Sequence, residues 1–169
     1  MAGAFTKFRF FQPLKLNLLF QNLSVLCLCN CSSTRRFEVG EKAEISRVFS
    51  QEDVDAFAKL TGDFNPIHIN SEFAKLANFE RCIVHGALVN GLISSLHGTK
   101  LPGSGCVVVS QHIKFPSPLY VGETIRAVVK VMSYRHSVML CSAVCTAVER
   151  NEVILTGETK LFIPKSKLN

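Results

Sequence analysis

Two side chains that can transfer protons lie five residues apart near the middle of the chain. They are Asp63 and His68, within Gly62-Asp63-Phe64-Asn65-Pro66-Ile67-His68. A carboxylate next to an imidazole is the usual equipment for general acid–base chemistry, and an imidazole can gain or lose a proton near pH 7. The spacing alone is a weak signal, because an Asp before Asn-Pro is often only a turn former bonded to backbone N–H groups.

A glycine near the start of an uncharged segment adds a second group. Residues 83–97 carry no charge when their histidines are neutral, and Gly86 is expected in the first turn of a helix there. Free N–H groups and the helix dipole favour negative charge at that end. The Gly86 N–H therefore suits an oxyanion hole for an enolate formed from a thioester. Alternatively, Gly86 and Gly91 only permit close packing. Ser94 either contacts the substrate or the catalytic loop, or bonds its own helix.

The hydrophobic pattern predicts the elements that hold these groups. One helix opens at Ser50, an N-cap candidate followed by an acidic first turn, and ends at Gly62. A short helix is predicted over 72–77, and the uncharged segment 83–97 is apolar around most of its circumference, so it must be buried on most sides. Alternating, β-branched stretches predict strands over 38–49, 106–115, 123–133, 137–149 and 153–163. This order predicts an α+β fold, an antiparallel sheet wrapped around a long central helix.

The net charge of +6 over 169 residues is concentrated at the N-terminus. Residues 1–36 hold five basic residues and no acidic one, whereas 14 basic and 13 acidic residues follow from Phe37 onward. A basic, acid-free, Ser-containing start is typical of a mitochondrial transit peptide, with a secretory signal or a plain disordered tail as alternatives. We therefore expect a leader over 1–36, a matrix location, and one domain over 37–169.

Composition and cysteine spacing argue against several other functions. The near-neutral charge after residue 36, the absence of Trp and the two Tyr count against nucleic-acid binding. No uninterrupted apolar run is long enough for a membrane span. Cysteines and histidines outside the leader show no zinc-type spacing, so no metal site is predicted. Cys141 and Cys145 should lie on one face of a strand as buried thiols.

Two motifs make the sequence similar to a known family. Leu60-Thr61-Gly62-Asp63-Phe64-Asn65-Pro66-Ile67-His68 and Ile83-Val84-His85-Gly86-Ala87-Leu88 resemble the MaoC-type hydratase/dehydratase family, and the likeness extends over about Val39 to Pro164. Within it, the chain most resembles R-specific enoyl-thioester hydratases and mitochondrial type 2 hydroxyacyl-thioester dehydratases. The resemblance implies a hot-dog fold and a homodimer, or a multiple of it.

The resemblance also implies roles for individual residues. Asp63 and His68 would position water and shuttle the proton, while the Gly86 N–H would hold the thioester oxygen. Ser94 matches an active-site serine that supports the pair. From its position, Asn65 is expected to fix the loop around Asp63. His85 is predicted to be non-catalytic although it lies in the motif, and His97, His112 and His136 are read as structural.

The implied reaction is reversible removal of water from a (3R)-3-hydroxyacyl thioester to give a trans-2-enoyl thioester, with no metal or redox cofactor. The acyl group would be carried by acyl carrier protein or by coenzyme A. A mitochondrial leader favours the dehydratase step of mitochondrial fatty acid synthesis, and the basic excess over 100–169 offers a docking face for an acidic carrier. The alternatives are a CoA-linked hydratase running in the opposite direction, a thioesterase, and a non-catalytic thioester-binding module.

Overall fold

The computed structural model describes residues 36–164, so the predicted leader lies outside the described residues except for Arg36. The elements follow in the order β1 (Lys42–Val48), α1 (Gln51–Thr61), α2 (Pro66–Ile69), α3 (Ser71–Leu76), α4 (Gly86–Thr99), β2 (Val107–Lys114), β3 (Thr124–Arg135), β4 (Val138–Ala147) and β5 (Glu152–Phe162). Within this part of the chain, no helix has both the length and the apolar character needed to cross a membrane.

The strands form one antiparallel sheet in the order β1-β3-β4-β5-β2. Strands β3, β4 and β5 follow one another as hairpins, whose turns contain His136, Ser137 and Asn151 at positive φ. β1 and β2, which flank the helices in sequence, are the two edge strands of the sheet. All four helices lie between these two strands in the sequence, and α4 packs against one face of the sheet.

The core lies between that face and α4. Alternate residues of β3 and β4 are buried there, namely Ile125, Ala127, Val129, Val131, Met139, Cys141, Ala143, Cys145 and Ala147. From α4, Val89, Leu92, Ile93 and Leu96 pack into this core. The expected α+β architecture, a sheet wrapped around a long helix in the hot-dog arrangement, is therefore confirmed.

The central helix differs from the prediction in its start and in its exposure. It begins at Gly86 rather than at residue 83, because Ile83 is extended and pairs with Tyr120 across an isolated bridge. The prediction that it is buried on most sides is wrong for the single chain, since Ala87, Gly91 and Ser94 are exposed. The apolar character runs on unbroken through residues 83–86, so hydrophobicity did not mark where the helix starts.

The segment between α1 and the central helix is also more regular than predicted. Residues 66–69 form the short helix α2 instead of a loop, with Pro66 in the first turn, where its missing N–H is harmless. Asn65 stays outside the α region, at φ −55° and ψ 123°, as expected for the residue before a proline. This short helix carries His68.

The remaining cysteine prediction is confirmed. Cys141 and Cys145 are fully buried on the inner face of β4. Burial raises the pKa of Cys141 to about 11 and that of Cys145 to about 12, so both stay protonated thiols at neutral pH.

A bulge in β5 changes which side chains enter the interior. Cys145 pairs with Leu155 while Thr146 pairs with Val153, which leaves Ile154 as the extra residue. Ile154 and Leu155 are consequently both buried, at 2% and 0% exposure, although neighbours in a regular strand point to opposite faces.

Candidate active site

Asp63 follows directly on the end of α1. Gly62 adopts the left-handed conformation, at φ 80°, and its N–H donates to the Ala58 carbonyl at 2.8 Å. The Thr61 hydroxyl donates to the Phe57 carbonyl at 2.8 Å and accepts from the Asp63 N–H at 3.3 Å. The helix end therefore fixes the backbone from which the Asp63 carboxylate projects.

Asn65 holds the same loop from the other side. Its N–H donates to Asp63 Oδ1 at 3.3 Å, and its own side chain accepts from the Ile67 N–H as the N-cap of α2. This geometry fits the predicted role in fixing the loop around Asp63. Contact between Asn65 and a substrate stays a prediction.

His68 is buried and its ring is oriented by one strong hydrogen bond. Nδ1 lies 2.7 Å from the Ile83 carbonyl, which can only accept, so Nδ1 carries the proton and Nε2 keeps a free lone pair. Nε2 has no partner among residues 36–164 and is not fully enclosed. Burial, more than the nearby His85, lowers the pKa of His68, so the ring is neutral at pH 7 and suited to act as a base.

His85 joins this pair, although sequence reasoning gave it no catalytic role. Its Nε2 lies 3.1 Å from the Asp63 carbonyl oxygen and 3.9 Å from Asp63 Oδ2. Its ring stacks on His68, with centroids 3.8 Å apart and the planes 28° from parallel. The signal available in the sequence was its place in the motif, but a separation of seventeen residues from His68 does not reveal contact.

The three side chains have donor atoms within 4.8 Å of one another, a spacing that also occurs in metal centres. A metal-bound imidazole directs its lone pair in the plane of the ring, at about 2.0–2.1 Å from zinc. The planes of His68 and His85 are stacked and nearly parallel. Both rings therefore cannot point at one ion unless one of them rotates, and the arrangement fits proton transfer better than metal binding.

Gly86 and His68 line the same pocket, of about 390 Å³. Its other walls are mostly apolar and include Val89, Phe115, Leu119 and Ile154. The Gly86 N–H, in the first turn of α4, has no hydrogen-bond partner within residues 36–164. A Cβ on Gly86 would lie 3.0 Å from the Phe115 ring, so the absence of a side chain keeps this N–H approachable. The pocket thus combines a neutral base and a backbone donor, and the Asp63 carboxylate lies within 4.8 Å of that base.

Ser94 is not brought into this arrangement. It is exposed on α4, lies outside the pocket wall and makes no side-chain hydrogen bond within the described chain. Its predicted contact with the substrate or the catalytic pair stays a prediction. Of the remaining histidines, His97 is buried with Nδ1 3.0 Å from the Leu101 carbonyl, whereas His112 and His136 are exposed.

A second hollow, of about 350 Å³, lies on the outer face of the sheet between β3 and β4. Its walls include Arg126, Val128, Val144 and Thr146, and the Arg126 guanidinium is paired with Glu44 at 2.7 Å. It offers no neutral base or unpaired backbone donor of the kind found beside His68 and Gly86.

The MaoC like domain family matches residues 35–151, well over half of the sequence. The chain belongs to this family. This MaoC-like chain is 37% identical over 133 residues to the (R)-specific enoyl-CoA hydratase of Aeromonas caviae, covering 78% of this chain and 99% of that one. It is 33% identical to the mitochondrial 3-hydroxyacyl-[acyl-carrier-protein] dehydratase of Arabidopsis thaliana, covering 79% and 81%.

The fold agrees with solved structures of the family. The (R)-hydratase from A. caviae involved in PHA biosynthesis superposes with a TM-score of 0.73 at 37% identity, over 76% of this chain and 98% of that one. The family resemblance inferred from the two motifs is thereby confirmed for the MaoC-like chain.

Proposed function

We propose that the protein is a hydro-lyase that interconverts (3R)-3-hydroxyacyl and trans-2-enoyl thioesters. The observation that carries this proposal is that an Asp63 carboxylate oxygen lies within 4.8 Å of a His68 ring nitrogen, while His68 and Gly86 line one apolar pocket. The names of the relatives from A. caviae and A. thaliana support the same chemistry, in the hydration and the dehydration direction respectively.

The groups have complementary tasks in the dehydration. The thioester oxygen accepts a hydrogen bond from the Gly86 N–H, which stabilises the enolate that forms as the C2 proton leaves. His68 Nε2 takes that proton and passes it to the C3 hydroxyl, whose bond to C3 breaks. The products are the enoyl thioester and one water molecule, which the Asp63 carboxylate holds. Hydration runs through the same steps in reverse.

The test is hydration of crotonyl-CoA by the purified protein, followed by the loss of enoyl-thioester absorbance and by chiral analysis of the product. We expect the R product, and a loss of about 10²- to 10⁴-fold in kcat for Asp63→Asn or His68→Ala, with both variants still folded although His68→Ala melts at a lower temperature. Wild-type rates in either variant would contradict the proposal. Release of free thiol instead of hydration would point to a thioesterase.

Within this proposal, the physiological substrate is an acyl group on acyl carrier protein in the mitochondrial matrix, with coenzyme A thioesters as the alternative. Two observations support the matrix: the basic, acid-free residues 1–36, and relatives of 33% and 31% identity that are named as mitochondrial dehydratases. Comparison of kcat/KM for the same acyl chain on both carriers decides between them.

We also propose a homodimer. β2 is an edge strand on which Val107, Val108 and Val109 are 54%, 41% and 57% exposed. An exposed apolar edge with unpaired N–H and C=O groups is a template for pairing with another strand. The exposed small residues of α4, Ala87, Gly91 and Ser94, would allow close approach of a second chain.

A further inference from the structure

Among residues 36–164, His85 is a buried polar side chain that touches both members of the acid–base pair. It is only 2% exposed. Its Nε2 lies 3.1 Å from the Asp63 carbonyl oxygen, and its ring stacks on His68 at 3.8 Å. The chemistry described above gives it no role, yet any movement of this ring would displace one of the two groups that the reaction needs.

A second aromatic contact holds the ring as well. Phe57 of α1 packs against it with centroids 5.0 Å apart. His85 therefore lies between α1, which leads into Asp63, and α2, which carries His68. Because the ring packs against residues of both helices, it can hold α1 and α2 at a fixed relative position.

The hydrogen-bonding pattern shows that packing alone does not explain a histidine here. Nε2 donates its proton to the Asp63 carbonyl oxygen, which leaves Nδ1 as an acceptor. That Nδ1 is buried without any partner among the described residues, an unfavourable arrangement. A phenylalanine would fill similar space without an unpaired nitrogen, so the feature that distinguishes His85 is its N–H bond to Asp63.

The backbone of the same residue connects it to the third group. His85 is the N-cap of α4, and Gly86 is the first residue of that helix. The side chain of His85 thus fixes Asp63 and His68, while its backbone leads directly to the N–H that would bind the thioester oxygen.

We propose that His85 is a positioning residue that sets the Asp63–His68 pair at the correct distance from the Gly86 N–H. The inference rests on the proposed function for its catalytic consequence, and on the contacts above for its geometry. His85 touches neither the substrate nor the transferred proton, and it acts through the two residues that do.

Three substitutions distinguish the effect of the His85 N–H hydrogen bond from the effect of side-chain volume. His85→Phe keeps an aromatic ring against His68 and Phe57 but removes the donor to Asp63. His85→Gln supplies an N–H at a similar distance from the backbone. His97→Phe makes the same replacement at another buried histidine of α4, one bonded to Leu101 and not to the pair.

In crotonyl-CoA hydration we expect His85→Phe to lower kcat about 10- to 100-fold, because a misplacement of about 1 Å is enough to do so. KM should change little, since the pocket that binds the substrate is intact. His85→Gln should recover much of kcat, and His97→Phe should keep the wild-type kcat even if it melts at a lower temperature. Wild-type kcat in His85→Phe, no recovery in His85→Gln, or an equal loss in His97→Phe would each overturn the inference.

A crystallographic comparison tests the geometry without relying on activity. In His85→Phe the Asp63 main chain should move away from the position it holds beside His68, whereas His85→Gln and His97→Phe should leave it in place. Unchanged positions of Asp63 and His68 in His85→Phe would overturn the inference. A wild-type protein inactive on every enoyl thioester would instead refute the proposed function, and the crystal structures would still decide whether His85 positions the pair.

Discussion

At the scale of single residues, the proposed mechanism makes the pH dependence of the reaction follow the protonation state of His68. Burial lowers its pKa below the ordinary value of 6.5, and the ring must be neutral to accept the C2 proton. We therefore expect kcat/KM to be constant just above pH 6.5 and to fall as the pH drops through the lowered pKa. A pH–rate profile with an acid midpoint above 6.5 would contradict this assignment.

Asp63 provides a control for the same profile. Its negative charge acts to raise the pKa of His68, against the larger effect of burial. Asp63→Asn removes that charge, so the acid midpoint of its residual activity should shift to lower pH. A shift in the opposite direction would mean that the titrating base is not His68.

Gly86 should tolerate no side chain. A Cβ would press on the Phe115 ring at 3.0 Å and stand beside the N–H that we propose binds the thioester oxygen. Gly86→Ala should therefore lower kcat/KM by about 10²- to 10³-fold, the usual cost of losing one oxyanion donor.

Gly98 is the matched control on the same helix, because a Cβ there meets nothing within 4 Å. Gly98→Ala should leave kcat/KM unchanged and raise the free energy of unfolding by about 0.5–1 kcal/mol through helix propensity. Equal activity of Gly86→Ala and Gly98→Ala in a hydration assay would remove Gly86 from the site.

At the scale of elements, the pairing of β2 with β5 holds one wall of the pocket. β2 ends just before Phe115, and a Cβ on Gly157 of β5 would lie 2.6 Å from the His112 carbonyl oxygen. Gly157→Ala should force these strands apart and lower the free energy of unfolding by about 1–3 kcal/mol, as overpacking does.

Urea denaturation with Glu158→Ala as the control measures this effect. Glu158 is the exposed neighbour of Gly157, so its replacement should stay within about 0.5 kcal/mol of the wild type. An unchanged midpoint for Gly157→Ala would show that the close approach of β2 is not required.

At the scale of the whole molecule, the free edge of β2 predicts the oligomeric state. Light scattering after gel filtration should give twice the mass of the chain, and Val107→Lys with Val109→Lys should give monomers, because charge on an edge strand opposes pairing. A monomeric wild-type protein, or a variant that keeps the dimer mass, would contradict pairing through β2.

The described part of the chain makes tertiary contacts from Phe37 onward. Phe37 packs edge-on against Tyr134 at 5.4 Å and contacts the core, and Gly40 donates to the Val131 carbonyl at 2.9 Å. A chain that starts at Phe37 should keep the melting temperature and hydration rate of the full chain but lose mitochondrial import. Import of the shortened chain would refute the leader.

Many features of this protein could be predicted from its sequence alone, because they depend on local chemistry. Ser50 caps α1 in a capping box with Asp53, and Gly62 ends the helix, because these signals depend only on neighbouring residues. Period-two alternation located β3 and β4 and predicted the buried thiols of Cys141 and Cys145. Residue types and spacing made Asp63, His68 and Gly86 candidates, and the two motifs gave the family.

Tertiary structure decided what depends on contacts between distant segments. The bulge that turns Ile154 into the pocket, the exposed face of α4 and the contact of His85 with both Asp63 and His68 have no local signature. The tautomer of His68 follows from a hydrogen bond to Ile83, fifteen residues away. The sequence thus predicted the candidate reacting groups, whereas the packing of α1, α2 and α4 fixed their distances, because a side chain's position depends on every element that encloses it.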